Sequence, residues 1–189
     1  MGVRREPVQP PSPEQSAFLE RAMQKYGKAT YNFAYRLTGN EADASDLAQE
    51  AFIRVYRAWR SFQPGTSFLS WIYRIVTNLH RDELRRRKGR FHEEIPEDNA
   101  PQEFAGQRPL AVTPIEEYVE RQLGEPLSRA LAELSTDQRQ VIILADLEEY
   151  SYQEIADIMG CSIGTVRSRL HRARALLRRL VERAQRQQH

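Results

Sequence analysis

Residues 162–172 read SIGTVRSRLHR, and the polar members of that run have the chemistry of nucleic-acid recognition. At helical spacing Ile163, Val166, Leu170, Ala173 and Leu177 share one side. Thr165, Ser168, Arg169 and Arg172 fall on the other, flanked by Gly164, Arg167 and His171. Small residues let a helix backbone enter a major groove, and guanidiniums reach guanine edges or phosphates. Ser162, Gly164, Thr165, Arg167, Ser168, Arg169, His171 and Arg172 are therefore the candidate duplex-reading residues. From Arg167 to Arg186 eight arginines face one acid, Glu182. An exposed amphipathic helix with a solvated basic face is the plainer alternative, but the helix before it favours DNA. Ser151 and Glu154 form a capping box, Ile155, Ala156, Ile158 and Met159 an apolar stripe, and Gly160 a left-handed stop. Two short helices on a tight glycine turn, the second rich in arginine, make a helix-turn-helix.

A second constellation lies upstream. Trp71, Arg74, Asn78, Arg81 and Arg85 recur every three or four residues, placing one aromatic, one amide and three guanidiniums on one helical stripe. Rings and guanidiniums stack on unpaired bases, amides read base edges, and cations follow phosphates. The plainer reading has Trp71 in a core and the charges solvated. The basic cluster from Arg85 to Arg90 adds phosphate contacts of low specificity.

The elements that must hold these residues are all helical. Ser12, Pro13 and Gln15 start a helix whose buried side reads Phe18, Leu19, Ala22, Met23 and Tyr26. It continues past Gly27 to a Gly39-Asn40 turn. The next helix is expected to start near Asp43 or Ser45 and run to about Trp59, burying Leu47, Ala48, Ala51, Phe52, Val55 and Trp59. Residues 61–67 form a loop around Pro64-Gly65. Thr66 or Ser67 then caps a helix from Phe68 to about Arg87 with Phe68, Leu69, Ile72, Ile75, Val76 and Leu79 inward. After the linker, Pro126 opens a helix burying Leu127, Ala130, Leu131 and Leu134. A Ser135/Gln138 capping box starts another with Val141, Ile142, Leu144, Ala145 and Leu147. These pack on the helix-turn-helix as a four-helix unit. No strand pattern is present.

Four segments follow: a proline-containing disordered arm (1–12), a helical domain (13–91), a linker (92–124) and a helix-turn-helix domain (125–186). Between Glu93 and Glu125 nine acids face Arg108 and Arg121, a local charge of −7, with Pro96, Pro101, Pro109 and Pro114 breaking any long helix. One short helix from Pro114 to Leu123 is expected there.

The chain has 189 residues, 40% apolar and 29% charged, and its formal charge of +2 conceals this segregation. No apolar run approaches a membrane span, and the N-terminus lacks a signal peptide's hydrophobic segment. A lone Cys161 and four scattered histidines offer neither an internal disulfide nor a metal cluster. A cytoplasmic protein without cofactor, metal or small-molecule substrate is expected. The carboxylates sit at caps, on one helix face or in the linker, so catalysis is not expected either.

These residues resemble a bacterial sigma factor of the sigma-70 family, in its extracytoplasmic-function group, over nearly everything after the arm. DLAQEAFIRVYRAW (Asp46 to Trp59) resembles the region-2 helix that docks on the β′ clamp helices of RNA polymerase. The resemblance assigns polymerase binding to Asp46, Gln49, Glu50, Ile53 and Arg54. Without it, an acidic first half and basic second half simply suit the helix dipole. SFLSWIYRIVTNLHRDELRRR (Ser67 to Arg87) resembles the part that melts and reads the minus-ten element. Trp71 and Asn78 match positions near the separated strand. The loop with Phe62 and Ser67 matches one that captures a flipped base. Leu134 to Leu177, with GTVRSRLHRAR its most specific string, resembles region 4, which reads the minus-thirty-five element. Housekeeping members carry a second tryptophan where Ile72 stands here, and region 1.1 and a folded region 3 are absent. The resemblance implies core RNA polymerase (β′ clamp helices and β flap), promoter DNA and an anti-sigma factor as partners. It also implies that the acidic linker threads the polymerase cleft, where nascent RNA would displace it. A polymerase-independent, dimeric helix-turn-helix regulator explains Ser151 to Arg186 equally well, but leaves the Trp71 stripe without a purpose.

Overall fold

The computed structural model describes residues 12–63, 65–90 and 125–186; the expected arm up to residue 11, the whole linker and its short helix lie outside them. Every regular element among the described residues is a helix. Helix α1 (Pro13–Thr38) starts where the Ser12 hydroxyl accepts from the Gln15 amide and stops at Gly39, which adopts the left-handed conformation at φ 76°. It runs unbroken through the buried Gly27, because the flanking Ala22, Thr30, Tyr31, Phe33, Ala34 and Leu37 are all buried.

Helix α2 (Glu41–Ala58) begins earlier than the sequence suggested. The side-chain oxygen of Asn40 accepts from the Asp43 amide at 2.8 Å and caps it. Asp43 is thus a first-turn residue, and its carboxylate instead bonds Arg87 at 2.9 Å and ties α2 to the next helix. That helix, α3 (Phe68–Arg90), starts where Ser67 accepts from the Ser70 amide. A short 3-10 turn (Trp59–Ser61) follows α2, so Trp59 lies past the helix end and is half-buried against Phe18 rather than part of its buried face. The three long helices bury Leu47, Ala48, Ala51, Phe52, Val55, Phe68, Ile72, Val76 and Leu79, as the periodicity predicts, together with Tyr73 and Thr77, which it does not. Ile72 is 0% exposed and belongs to the core.

The second unit comprises α4 (Glu125–Glu133), α5 (Thr136–Ile142), α6 (Tyr152–Met159) and α7 (Ile163–Arg186). The backbone amide of Ser135 donates to Gln138 at 3.2 Å, part of the expected capping box. After Ile142 the helix widens into one π-type turn, Ile143–Leu147, closed by the Glu148 amide on the Ile143 carbonyl at 2.9 Å. Glu149, at φ 56°, then turns the chain toward α6. Helices α4, α5 and α6 all pack on α7, while α3 packs on α6. The buried residues of the two units join in one cluster.

Candidate nucleic-acid interface

The helix-turn-helix is built by local capping. The Ser151 amide donates to the Glu154 carboxylate at 2.9 Å and the Glu154 amide donates back to the Ser151 hydroxyl at 3.3 Å. The Ser151 hydroxyl, which donates to the Glu154 carboxylate at 2.6 Å, and the Ser151 amide together hold that carboxyl below its usual pKa. Gly160, at φ 63° and ψ 45°, ends α6, and the Cys161 amide closes on the Ala156 carbonyl at 3.0 Å. Ser162 accepts from the Thr165 amide at 3.1 Å and opens α7. Ile155, Ile158, Met159, Val166, Leu170 and Ala173 are buried between the helices and fix their crossing.

That packing leaves Ser162, Gly164, Arg167, Ser168, His171 and Arg172 exposed, with Thr165 half-buried beside them. A Cβ on Gly164 would meet only the Ser162 hydroxyl, at 3.8 Å, so the fold itself does not require glycine there. The Arg172 Nε donates to the Ser168 carbonyl at 3.2 Å. Arg169 differs: its guanidinium lies 2.9 Å from Asp137 on α5. Arg174 is held by Asp146, whose carboxylate accepts its Nε at 3.1 Å.

The α3 stripe is divided in the same way. Arg74, Asn78 and Arg85 are exposed, and Arg85 makes only a loose 3.5 Å pair with Asp82. Trp71 is half-buried at the edge of an aromatic cluster, 5.3 Å from the Phe62 ring and 5.7 Å from Phe68. Phe62 also meets Phe18 and Phe68, so it packs rather than projecting freely, while Ser67 is exposed. Gly65, at φ 97°, lies in the turn closed by the Thr66 amide on the Gln63 carbonyl. Arg81 departs from the expected solvent-facing stripe. It donates to the Met159 carbonyl at 2.8 Å and lies 3.5 Å from Asp137, both in the second unit.

On α2, Asp46, Gln49 and Arg54 are exposed and Glu50 and Ile53 half-buried, above the buried Leu47, Ala48, Ala51 and Phe52. Gln49 bonds Ser45 and Glu50 pairs with Arg54, so among the described residues those side chains make local contacts. Asp46 and Glu50 border a cleft of about 370 Å³ that also meets His80, Arg87, Thr136 and Arg139. Burial pushes the His80 pKa below its ordinary value, and the Arg139 and Arg87 charges add to the shift. Among the described residues no cluster of His, Cys, Asp or Glu could hold a metal ion, and no helix is long and apolar enough to cross a membrane.

Sequence periodicity missed Arg36, Tyr73, Thr77, Gln140 and Glu148. All five make polar contacts between the two units. The one available signal was an unusual placement of polar groups: Tyr73 and Thr77, four residues apart, flank an apolar stripe.

The fold and its surfaces define a two-module, all-helical protein with a groove-sized arginine helix in one module and an aromatic-amide-guanidinium stripe in the other. The family model for sigma-70 region 2 matches residues 22–90, and that for sigma-70 region 4 matches residues 124–177. The ECF RNA polymerase sigma factor SigE of Mycolicibacterium smegmatis is 42% identical over 161 residues, which cover 84% of this chain and 60% of that protein. SigW of Bacillus subtilis, also an ECF RNA polymerase sigma factor, is 34% identical over 175 residues, covering 88% of this chain and 89% of the relative. Among solved structures, the sigma factor RpoE in complex with the anti-sigma factor NepR from Bartonella quintana matches with a TM-score of 0.64 at 27% identity, over 87% of this chain and 97% of that one. The chain belongs to the sigma-70 family, in its extracytoplasmic-function group of RNA polymerase sigma factors.

Proposed function

We propose that this chain is a dissociable initiation subunit that joins core RNA polymerase in the cytoplasm and directs it to a two-part promoter. It acts by binding rather than by catalysis. Residues 13–91 serve as region 2, 92–124 as the tether through the polymerase cleft, and 125–186 as region 4. The α2 face of Asp46, Gln49, Glu50, Ile53 and Arg54 docks on the β′ clamp helices, and region 4 meets the β flap. The exposed face of α7 holds the upstream element as duplex. The α3 stripe, with Phe62 and Ser67 at its loop end, traps one strand of the downstream element.

The observation that carries this reading is the pairing of two different chemistries on separate modules: Arg167, Ser168 and Arg172 exposed at the start of α7, and Trp71, Arg74 and Asn78 along α3. A good arginine–guanine contact discriminates by about 1–3 kcal/mol, and taking a base out of the stack costs roughly a few kcal/mol. Neither reader has much margin alone, so the polymerase must hold both in place. An anti-sigma factor that covers the readers would silence the protein. Native mass measurement tests the reading. The chain should be a monomer that forms a one-to-one assembly with core polymerase; a dimer indifferent to polymerase would identify a conventional regulator instead.

Arg172→Ala should lower discrimination for the upstream element by roughly 5- to 150-fold, the equivalent of one lost base contact. Among the described residues Arg172 has no ion-pair partner to lose, so the fold and polymerase binding should be spared. Quantitative DNA binding by the assembled holoenzyme checks this, and unchanged discrimination would remove Arg172 from the reading face.

A further inference from the structure

Phe62 and Trp71 belong to a larger aromatic rim that continues past the α3 stripe onto α1 and the end of α2. Phe68, 6% exposed, is its hub. Tyr26 of α1 stacks on Phe68 at 4.6 Å, and Phe62 and Trp71 meet it edge-on at 5.6 and 5.7 Å. Phe18 reaches Phe68 at 6.2 Å and lies equally far from Trp59, in the short turn after α2. Every ring around the hub is half-buried and keeps part of its surface at the solvent boundary. Rings that serve packing alone close over one another, as Phe33 and Tyr73 do at 0% exposure in the same unit.

Two exposed cations stand on this rim. The Lys25 ammonium is 5.2 Å from the centroid of the Tyr26 ring, and the Arg60 guanidinium is 5.4 Å from that of Trp59. A cation this close to a ring is held by the ring's quadrupole. The contact restrains a long side chain, so less rotamer freedom is lost when it binds an anion. Neither cation has an ion-pair partner among the described residues. From Ala51 to Arg81 the sequence holds no Asp or Glu, while Arg54, Arg57, Arg60, Arg74 and Arg81 fall within it. The loop side of the rim therefore presents positive charge and aromatic surface together, the combination that tracks an unpaired nucleic-acid strand.

We infer that Lys25 and Arg60 hold phosphates of the separated DNA strand, which leaves Trp71 across the Phe62–Phe18 rim with Lys25 on its α1 side and Arg60 on its α2 side. The assignment rests on the two-element promoter reading and extends its strand-binding surface to two residues outside the α3 stripe. A single stacked base gives an opened strand one anchor. Cations beyond that base hold the next phosphates and oppose re-pairing. Their contribution is to strand affinity and not to the choice of base, because a phosphate contact carries no sequence information directly.

The test uses full-length protein assembled with core polymerase and a template that the wild-type assembly selects by run-off from a randomised pool. That template is prepared as a fork, with its downstream element single-stranded, and as a full duplex. Lys25→Gln and Arg60→Gln keep an apolar stem against each ring and remove the charge. A plot of log affinity for the fork against log salt should become shallower by about 0.7 in slope for each variant and about 1.4 for the two combined, one single-strand phosphate contact apiece. Arg60→Lys should restore the wild-type slope. Binding to core polymerase and base preference within the downstream element should stay at wild-type values. A wild-type slope in either glutamine variant, with polymerase bound, would overturn the proposal. So would weakened polymerase binding with the fork slope intact, which would give these cations to the polymerase instead. A wild-type assembly that selects no template would sink the two-element reading itself, and this assignment with it.

Discussion

Replacing Gln49 and Glu50 together by alanine is expected to weaken binding to core polymerase by roughly 30-fold or more, the loss expected when a docking hot spot is removed. The fold should be untouched. Gln49 is exposed and, among the described residues, its side chain bonds Ser45, one turn away, while Glu50 pairs with Arg54 at 3.3 Å on the same helix. Exposed pairs of that kind contribute about 0–1 kcal/mol. The residues that hold α2 in place, Leu47, Ala48, Ala51, Phe52 and Val55, are not altered. Titration of labelled chain with core polymerase checks the prediction. Unchanged affinity at unchanged thermal stability would move the docking surface off this helix.

The second large effect is at Trp71. Base–aromatic stacking is worth about 1–3 kcal/mol per base, so Trp71→Leu should lower the yield of open promoter complex by roughly 5- to 150-fold. Leucine retains an apolar body against Phe62 and Phe68, the rings that Trp71 meets. Upstream duplex binding through α7 should be unchanged, since the substitution lies in the other module. Permanganate reactivity of unpaired thymines reports opening directly. A variant that loses stability but opens promoters in proportion to its folded fraction would make Trp71 a core residue only.

The helix-turn-helix was legible residue by residue because its determinants are local. Ser151 with Glu154, Gly160 and Ser162 act within four residues of where they stand, so sequence spacing alone carries them. Periodicity likewise identified the buried sides of α2 and α3. It could say which residues share a face, but not what covers that face. Arg81 therefore shares a stripe with Trp71 and Asn78 in the sequence, although a carbonyl 78 residues away accepts its hydrogen bond. Thr77 and Gln140 were invisible for the same reason: each is a polar residue inside an apolar pattern, made tolerable only by a partner 63 positions distant. At the start of α2, Asn40, Asp43 and Ser45 are all competent caps. What decides among them is the left-handed Gly39, which makes Asn40 the first residue able to cap the new helix. The widened turn before Glu148 left no pattern in the sequence, yet it brings Glu148 to Arg36 and Tyr73.

Run-off transcription on a pool of templates with a randomised upstream region tests the central claim most directly. With purified chain and core polymerase together, transcripts should arise from templates enriched in two sequence blocks at one fixed separation. Neither component alone should yield them. Transcripts without such enrichment, or none at all beside tight promoter binding by the chain on its own, would contradict the account.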